Sequence, residues 1–209
     1  MEKAIVCCVA VSMMAFLIPA SDAAVIFDLR DEVFNYGGGT LEDLDGGTGL
    51  SLTKGGVTAN LTAIVTSPST TVFNQTGGGF GLNSDDDTTG TSDATSQLDG
   101  DEGAESISIS FTTAVFFDSV SVSSFGSGDA GSIAFTGPVA SPVAIDSTGS
   151  TDAGSVQIDP GDSVTIAYVS GNGFSFDSFT VTIVPEPASL ALLALGGMLV
   201  TGRCRHNRG

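Results

Sequence analysis

From Ala24 to Val184 no stretch of this chain sustains an apolar repeat of 3.6 residues, while alternation of period two recurs throughout it. Val57, Ala59, Leu61, Ala63 and Val65 alternate with Thr58, Asn60, Thr62 and Ile64; Ile107, Ile109 and Phe111 alternate with serines; Val120 and Val122 follow; Val164, Ile166 and Tyr168 close the series. Side chains of a strand point to opposite faces in turn, so these segments predict strands with one face buried. Shorter strands are expected at 25–29, 50–53, 79–82, 132–135, 143–146 and 155–158, separated by Gly, Ser, Asp and Pro clusters that mark turns. About ten strands in one domain-sized region imply an all-β fold, a single β-sandwich of jelly-roll-like type.

The last two strands carry their own local detail. Residues 164–169 lead through Ser170-Gly171-Asn172-Gly173 into 174–184, which predicts a closing hairpin. Phe174 and Phe176 share one phase, but Phe179, Val181 and Ile183 share the other. A β-bulge near Asp177-Ser178 reconciles the two phases.

Charge and cysteine placement narrow the function classes. Of the chain's 24 acids all but Glu2, Asp22 and Glu186 fall within 24–184, against only Arg30 and Lys54, so this region carries a net charge of −19. Phosphate binding needs a basic face, which excludes nucleic acid as a partner. Cys7, Cys8 and Cys204 all lie outside the region, leaving it without a thiol or a disulfide. It also lacks Trp, and His206 is the only histidine, so the usual nucleophile and base pairs are missing and no enzymatic activity is expected.

Both ends read as targeting segments. Lys3 precedes an apolar stretch from Ala4 to Ile18, Pro19 breaks it, and Ser21-Asp22-Ala23 offers small residues for signal peptidase, so residues 1–23 form a signal peptide cleaved after Ala23. At the other end, Val184-Pro185-Glu186-Pro187 is followed by an almost uncharged run, Ala188 to Gly202, and then by Arg203, Arg205 and Arg208. Pro185 and Pro187 lack backbone donors and keep the chain extended. The leucines and alanines that follow favour a helix with no polar face, which belongs in lipid. The arginines keep their end cytoplasmic, placing everything before Pro185 outside the membrane. Fifteen residues span about 22 Å as a helix, short of the roughly 30 Å hydrocarbon core. A marginal span behind a polar marker suits a tail that is removed rather than a permanent anchor.

This order of motif, apolar run and arginines over 185–209 resembles the PEP-CTERM tail. The resemblance implies export through the inner membrane of a bacterium, transient anchoring by the tail helix, and cleavage by exosortase, an integral-membrane transpeptidase-like enzyme. The stretch Tyr168 to Phe179 is similar to the closing strands often found before such tails. Three segments follow: signal peptide 1–23, exported domain 24–184, sorting tail 185–209. A structural role at the cell surface or in extracellular matrix, in contact with exopolysaccharide, fits this plan.

A carbohydrate- or calcium-binding module is the other reading. Asp85-Asp86-Asp87, Asp93 and the run Asp99-Gly100-Asp101-Glu102-Gly103-Ala104-Glu105 cluster ahead of a strand. Calcium takes six to eight oxygen ligands, and Asp99, Asp101, Glu102 and Glu105 could supply carboxylates, although the spacing is not that of an EF-hand. Tyr36, beside Asn35, is the aromatic residue expected on the surface for a sugar. Gly37-Gly38-Gly39 and Gly77-Gly78-Gly79 precede neither a lysine nor a helix, so they read as turns.

Overall fold

The computed structural model describes residues 23–30, 48–66, 72–76, 79–83, 97–100, 103–137 and 141–184. Twelve strands run through them: β1 (Ala24–Asp28), β2 (Gly49–Lys54), β3 (Val57–Val65), β4 (Val72–Thr76), β5 (Gly79–Asn83), β6 (Glu105–Phe111), β7 (Val115–Ser123), β8 (Ala130–Phe135), β9 (Val143–Ile145), β10 (Gly149–Ile158), β11 (Ser163–Ser170) and β12 (Ser175–Ile183). Among the described residues there is no helix. They belong to one compact unit, Ala23–Ile183, apart from Val184.

Two antiparallel sheets make the sandwich, one of four strands in the order β1-β12-β7-β10 and one of six in the order β2-β3-β6-β11-β8-β9. From β6 onward the chain changes sheet at every step except β8 to β9, which pair directly. With β1 beside β12, the order β1-β12-β7-β10 over β6-β11-β8-β9 is that of a jelly roll. The β2-β3 hairpin extends the larger sheet beyond β6, and β4-β5 is a separate two-stranded ribbon. Gly55 and Gly56, at φ 57° and 83°, form the two-residue turn between Lys54 and Val57, a conformation that suits hairpins because it matches strand twist.

The alternation expected from sequence appears directly as burial. Along β6, Glu105, Ile107, Ile109 and Phe111 point inward and the serines between them are half-buried. Val57, Ala59 and Leu61 of β3 and Val164 and Ile166 of β11 face the same interior. Phenylalanines knit the two sheets together. Phe179 stacks on its cross-strand partner Phe27 with ring centroids 4.6 Å apart, lies 6.0 Å from both Phe117 and Phe176, and meets Phe111 of the opposite sheet edge-on at 6.3 Å. Each fully buried large side chain contributes about 1.5–3 kcal/mol, and such aromatic pairs add somewhat more.

The bulge expected near Asp177-Ser178 is present. Phe176 pairs with Val122 and Ser178 with the adjacent Ser121, leaving Asp177 as the extra residue, so Phe174, Phe176, Phe179 and Val181 are all buried. The expected closing hairpin is not. Strand β11 pairs with β6 and β8, whereas β12 pairs with β1 and β7, so residues 171–174 cross from one sheet to the other. Gly171 and Gly173 do adopt positive φ, 97° each, but they shape an arch rather than a hairpin turn. The arch is held from outside itself: Leu98 and Phe174 exchange both backbone hydrogen bonds, at 2.7 and 3.1 Å, and Asp129 Oδ1 accepts from Asn172 N at 2.7 Å. Strand β4 was not foreseen from alternation; its Phe73 is buried and stacks on Phe80 at 5.3 Å.

Candidate functional site

The acidic segment enters the described structure at Asp99. Gln97 accepts a hydrogen bond from Leu82 N, Leu98 joins Phe174, and the chain then turns so that Glu105 N donates to Asp99 O at 3.1 Å. Asp99 N donates back to Glu105 Oε2 at 3.1 Å. These two hydrogen bonds bring the two ends of the acidic run together. Glu105 is in the inward phase of β6 and only 1% exposed, and Asp99 is 3% exposed, so both carboxylates are directed into the protein. Gly100 leaves room for Tyr168, whose Cε1 would lie 2.5 Å from an added Cβ. Asp101 and Glu102 lie outside the described residues, as do Asp85-Asp86-Asp87, Asp93, Asn35 and Tyr36. Among the described residues no group of three His, Cys, Asp or Glu side chains is placed to hold a metal ion.

A second acidic pair comes from the bulges of the four-stranded sheet. Asp177, the extra residue of β12, is 3% exposed; its Oδ1 accepts from Ser123 Oγ at 2.7 Å, and Arg30 Nη1 stands 3.8 Å from its Oδ2. Burial pushes the Asp177 carboxyl above its ordinary value, while the Ser123 hydrogen bond and the Arg30 charge pull the other way. Arg30 also binds Asp28 through Nε and Nη2, each at 3.1 Å, and this contact holds the Asp28 carboxyl below the usual range. Asp118 is the extra residue of β7, between Phe117 and Ser119 in the pairing with β12. Its two oxygens accept from Ser155 Oγ and Thr182 Oγ1, both at 2.7 Å.

Opposite Asp118, β10 bulges between Asp152 and Val156, with Gly154 at φ 81° and Ser155 at φ 51°. Bulges re-aim side chains and often border binding sites. Here the bulge forms one wall of an open groove of about 470 Å³, whose other wall is the end of β8 and the turn that follows β10. Phe135, Thr136, Gln157, Asp159 and Asp162 are among its lining residues. Reading the sequence for motifs missed this groove. Its one trace is the phase change from Val115 and Phe117 to Val120 and Val122, the same sign of a bulge that was read correctly at Asp177.

Strands β1 and β12 are neighbours, with Ala24 opposite Thr182, so the first and last strands of the domain begin and end at one corner of one sheet. Structurally this is a single jelly-roll domain with its two chain ends side by side. The residues beyond it supply the second half of the identification: 184–205 match the family model described as the PEP-CTERM protein-sorting motif, so the chain carries that motif. The match takes in Pro185, Glu186, Pro187, Arg203 and Arg205, and stops before Arg208. The motif implies secretion with a C-terminal sorting signal and exosortase as the processing partner. No curated protein and no solved structure matches the chain. Pro185, Glu186, Pro187 and the apolar run expected to form a membrane helix, like residues 1–22 of the expected signal peptide 1–23, lie outside the described residues.

Proposed function

We propose that the protein is a non-enzymatic component of the bacterial cell surface or extracellular matrix, released from the membrane by exosortase and held there by contacts with exopolysaccharide. The observation that carries this reading is the junction itself. Strand β12 ends at Ile183 and the sorting motif begins at residue 184, so a cut in the motif would separate the whole sandwich from the apolar run without touching a strand. Signal peptidase would act at the same corner, before Ala24. The absence of Cys, His and Trp from 24–184 supports a role in binding or structure over catalysis. The test is fractionation of cells with and without exosortase. Recovery in the matrix fraction only when exosortase is active supports the reading, and equal recovery in both removes it.

Calcium binding at the acidic loop is a second reading, favoured by the two hydrogen bonds that bring Asp99 and Glu105 together. An ion bound only by the folded state would stabilise it by RT ln(1 + [L]/Kd). Melting of the released protein in calcium and in magnesium at equal ionic strength tests it, because general screening of the −19 charge acts alike for both ions. An equal effect of the two rejects this reading.

A further inference from the structure

We infer that the groove between the β10 bulge and the end of β8 binds a short neutral saccharide. This inference names the contact that the proposed matrix association would use, and it rests on that reading for its biological setting but not for its geometry.

The groove has fixed walls. Ser155, a non-glycine residue in the left-handed region, is held there by its hydrogen bond to Asp118, which is itself tied to β12 through Thr182. Backbone held in a sparsely populated conformation by its surroundings is a feature of ligand sites. Across the groove, Thr136 and Ser163 clamp the end of β8 to β11: Thr136 N donates to Ser163 O at 2.9 Å and Ser163 N to Thr136 Oγ1 at 2.6 Å. Phe135 is set edge-on against Phe117 at 6.4 Å, so the apolar part of the lining is locked to the core. The volume lies within the range of small-molecule pockets, about 300–1,000 Å³.

The lining chemistry selects the ligand. Phe135 offers an apolar surface, and Thr136, Gln157, Asp159 and Asp162 offer acceptors and donors around it. Gln157 Nε2 donates to Asp159 Oδ1 at 2.9 Å, which orients both groups at the rim. Gly137 has its φ at 114°, and a Cβ there would come within 2.9 Å of Asp162 Oδ2, so a glycine lets this carboxylate lie close to the backbone. A sugar has C–H faces for the first surface and hydroxyl donors for the carboxylates. Among the described lining residues there is no Lys, Arg or His, and the domain is strongly acidic, so phosphorylated and uronic sugars are repelled.

Calorimetric titration of the released protein with cellobiose, maltose, lactose and digalacturonate tests this inference. Gln157 and Asp159 are exposed, so Gln157→Ala and Asp159→Ala leave the core intact, which unchanged melting confirms. At least one neutral disaccharide should bind and digalacturonate should not, with Asp159→Ala weakening binding about tenfold, the loss expected for one hydrogen bond to a carboxylate, and Gln157→Ala about threefold, the loss expected for a neutral one. No binding of any neutral disaccharide, tighter binding of digalacturonate, or undiminished binding by both variants overturns it. Matrix recovery of the variants separates the two proposals. Variants that lose the disaccharide yet stay in the matrix fraction refute the groove as the matrix contact and leave the proposed function standing, whereas wild type that binds the disaccharide but never reaches the matrix keeps the groove and removes that function.

Discussion

Ala24 and Thr182 are cross-strand partners, so the first strand of the exported domain hydrogen-bonds to the last. Strand β12 lies between β1 and β7, so the described sheet neighbour of β1, and the Phe179 ring that stacks on Phe27, are lacking until β12 has been made. The four-stranded sheet is therefore completed only when the chain up to Ile183 is free to fold. This one pairing brings the start of β1 and the end of β12 to the same corner of the sheet.

The first prediction concerns truncation. A chain ending at Val184 keeps every strand, and its melting temperature should match that of the released protein within about 2 °C. A chain ending at Gly173 lacks β12 and should show no cooperative melting transition. Cooperative melting of the shorter chain would mean that β12 is dispensable to the sandwich.

The aromatic centre should be the most sensitive part of the core. Phe179 contacts four other rings, Phe27, Phe111, Phe117 and Phe176, from both sheets. Phe179→Ala should cost about 3–5 kcal/mol in chemical denaturation. Exposed Ile26, on the outer face of β1, should tolerate Ile26→Thr within about 0.5 kcal/mol.

The arch between β11 and β12 should reject side chains at its glycines. Gly173 has positive φ, and a Cβ there would sit 2.7 Å from Leu98 O and 2.5 Å from Asp99 Cβ. Gly173→Ala should destabilise by about 2–4 kcal/mol, the sum of left-handed strain and overpacking against backbone. Gly128, also at positive φ but with open space around it, should lose less on the same change. Equal losses at the two positions would show that conformation alone, without the Leu98 contact, decides the cost.

The two carboxylates around Arg30 should give opposite pH slopes. Asp177 has its value raised by burial, so the folded state holds its proton longer than the unfolded one, and stability falls as pH rises from the ordinary carboxylate range through the raised value. Asp28 has its value lowered by Arg30, so its contribution is present above the ordinary range and is lost as pH falls from that range through the lowered value. On going from about pH 2 to pH 7, Asp177→Asn should therefore gain stability relative to wild type, chiefly above the ordinary carboxylate range, and Asp28→Asn should lose it, chiefly below that range. Thermal melting across this interval checks both, and a loss for Asp177→Asn would mean that Arg30 outweighs burial.

Strand positions were legible in the sequence because the interior takes every second side chain, as in Ile107, Ile109 and Phe111. The bulge at Asp177 was legible for the same reason, since two buried sets out of phase need one extra residue. Whether β11 and β12 pair was not legible. The sequence Ser170-Gly171-Asn172-Gly173 permits the chain to reverse, but the sheet that receives β12 is chosen by Phe174 bonding to Leu98 and Phe179 stacking on Phe27, contacts far away along the chain. Glu105 was read as a loop carboxylate, yet it begins the inward face of β6. The groove escaped notice because β8, the β10 bulge and Asp162 meet only in three dimensions.

The central claim is that the sorting motif beginning directly after β12 is a processing site that frees an intact jelly roll. Intact-mass measurement of the protein recovered outside the cells tests it most directly. The expected N-terminus is Ala24 and the expected C-terminus lies between Pro185 and Ala188, so that Arg203, Arg205 and Arg208 are gone. A released protein that still carries these arginines would contradict it.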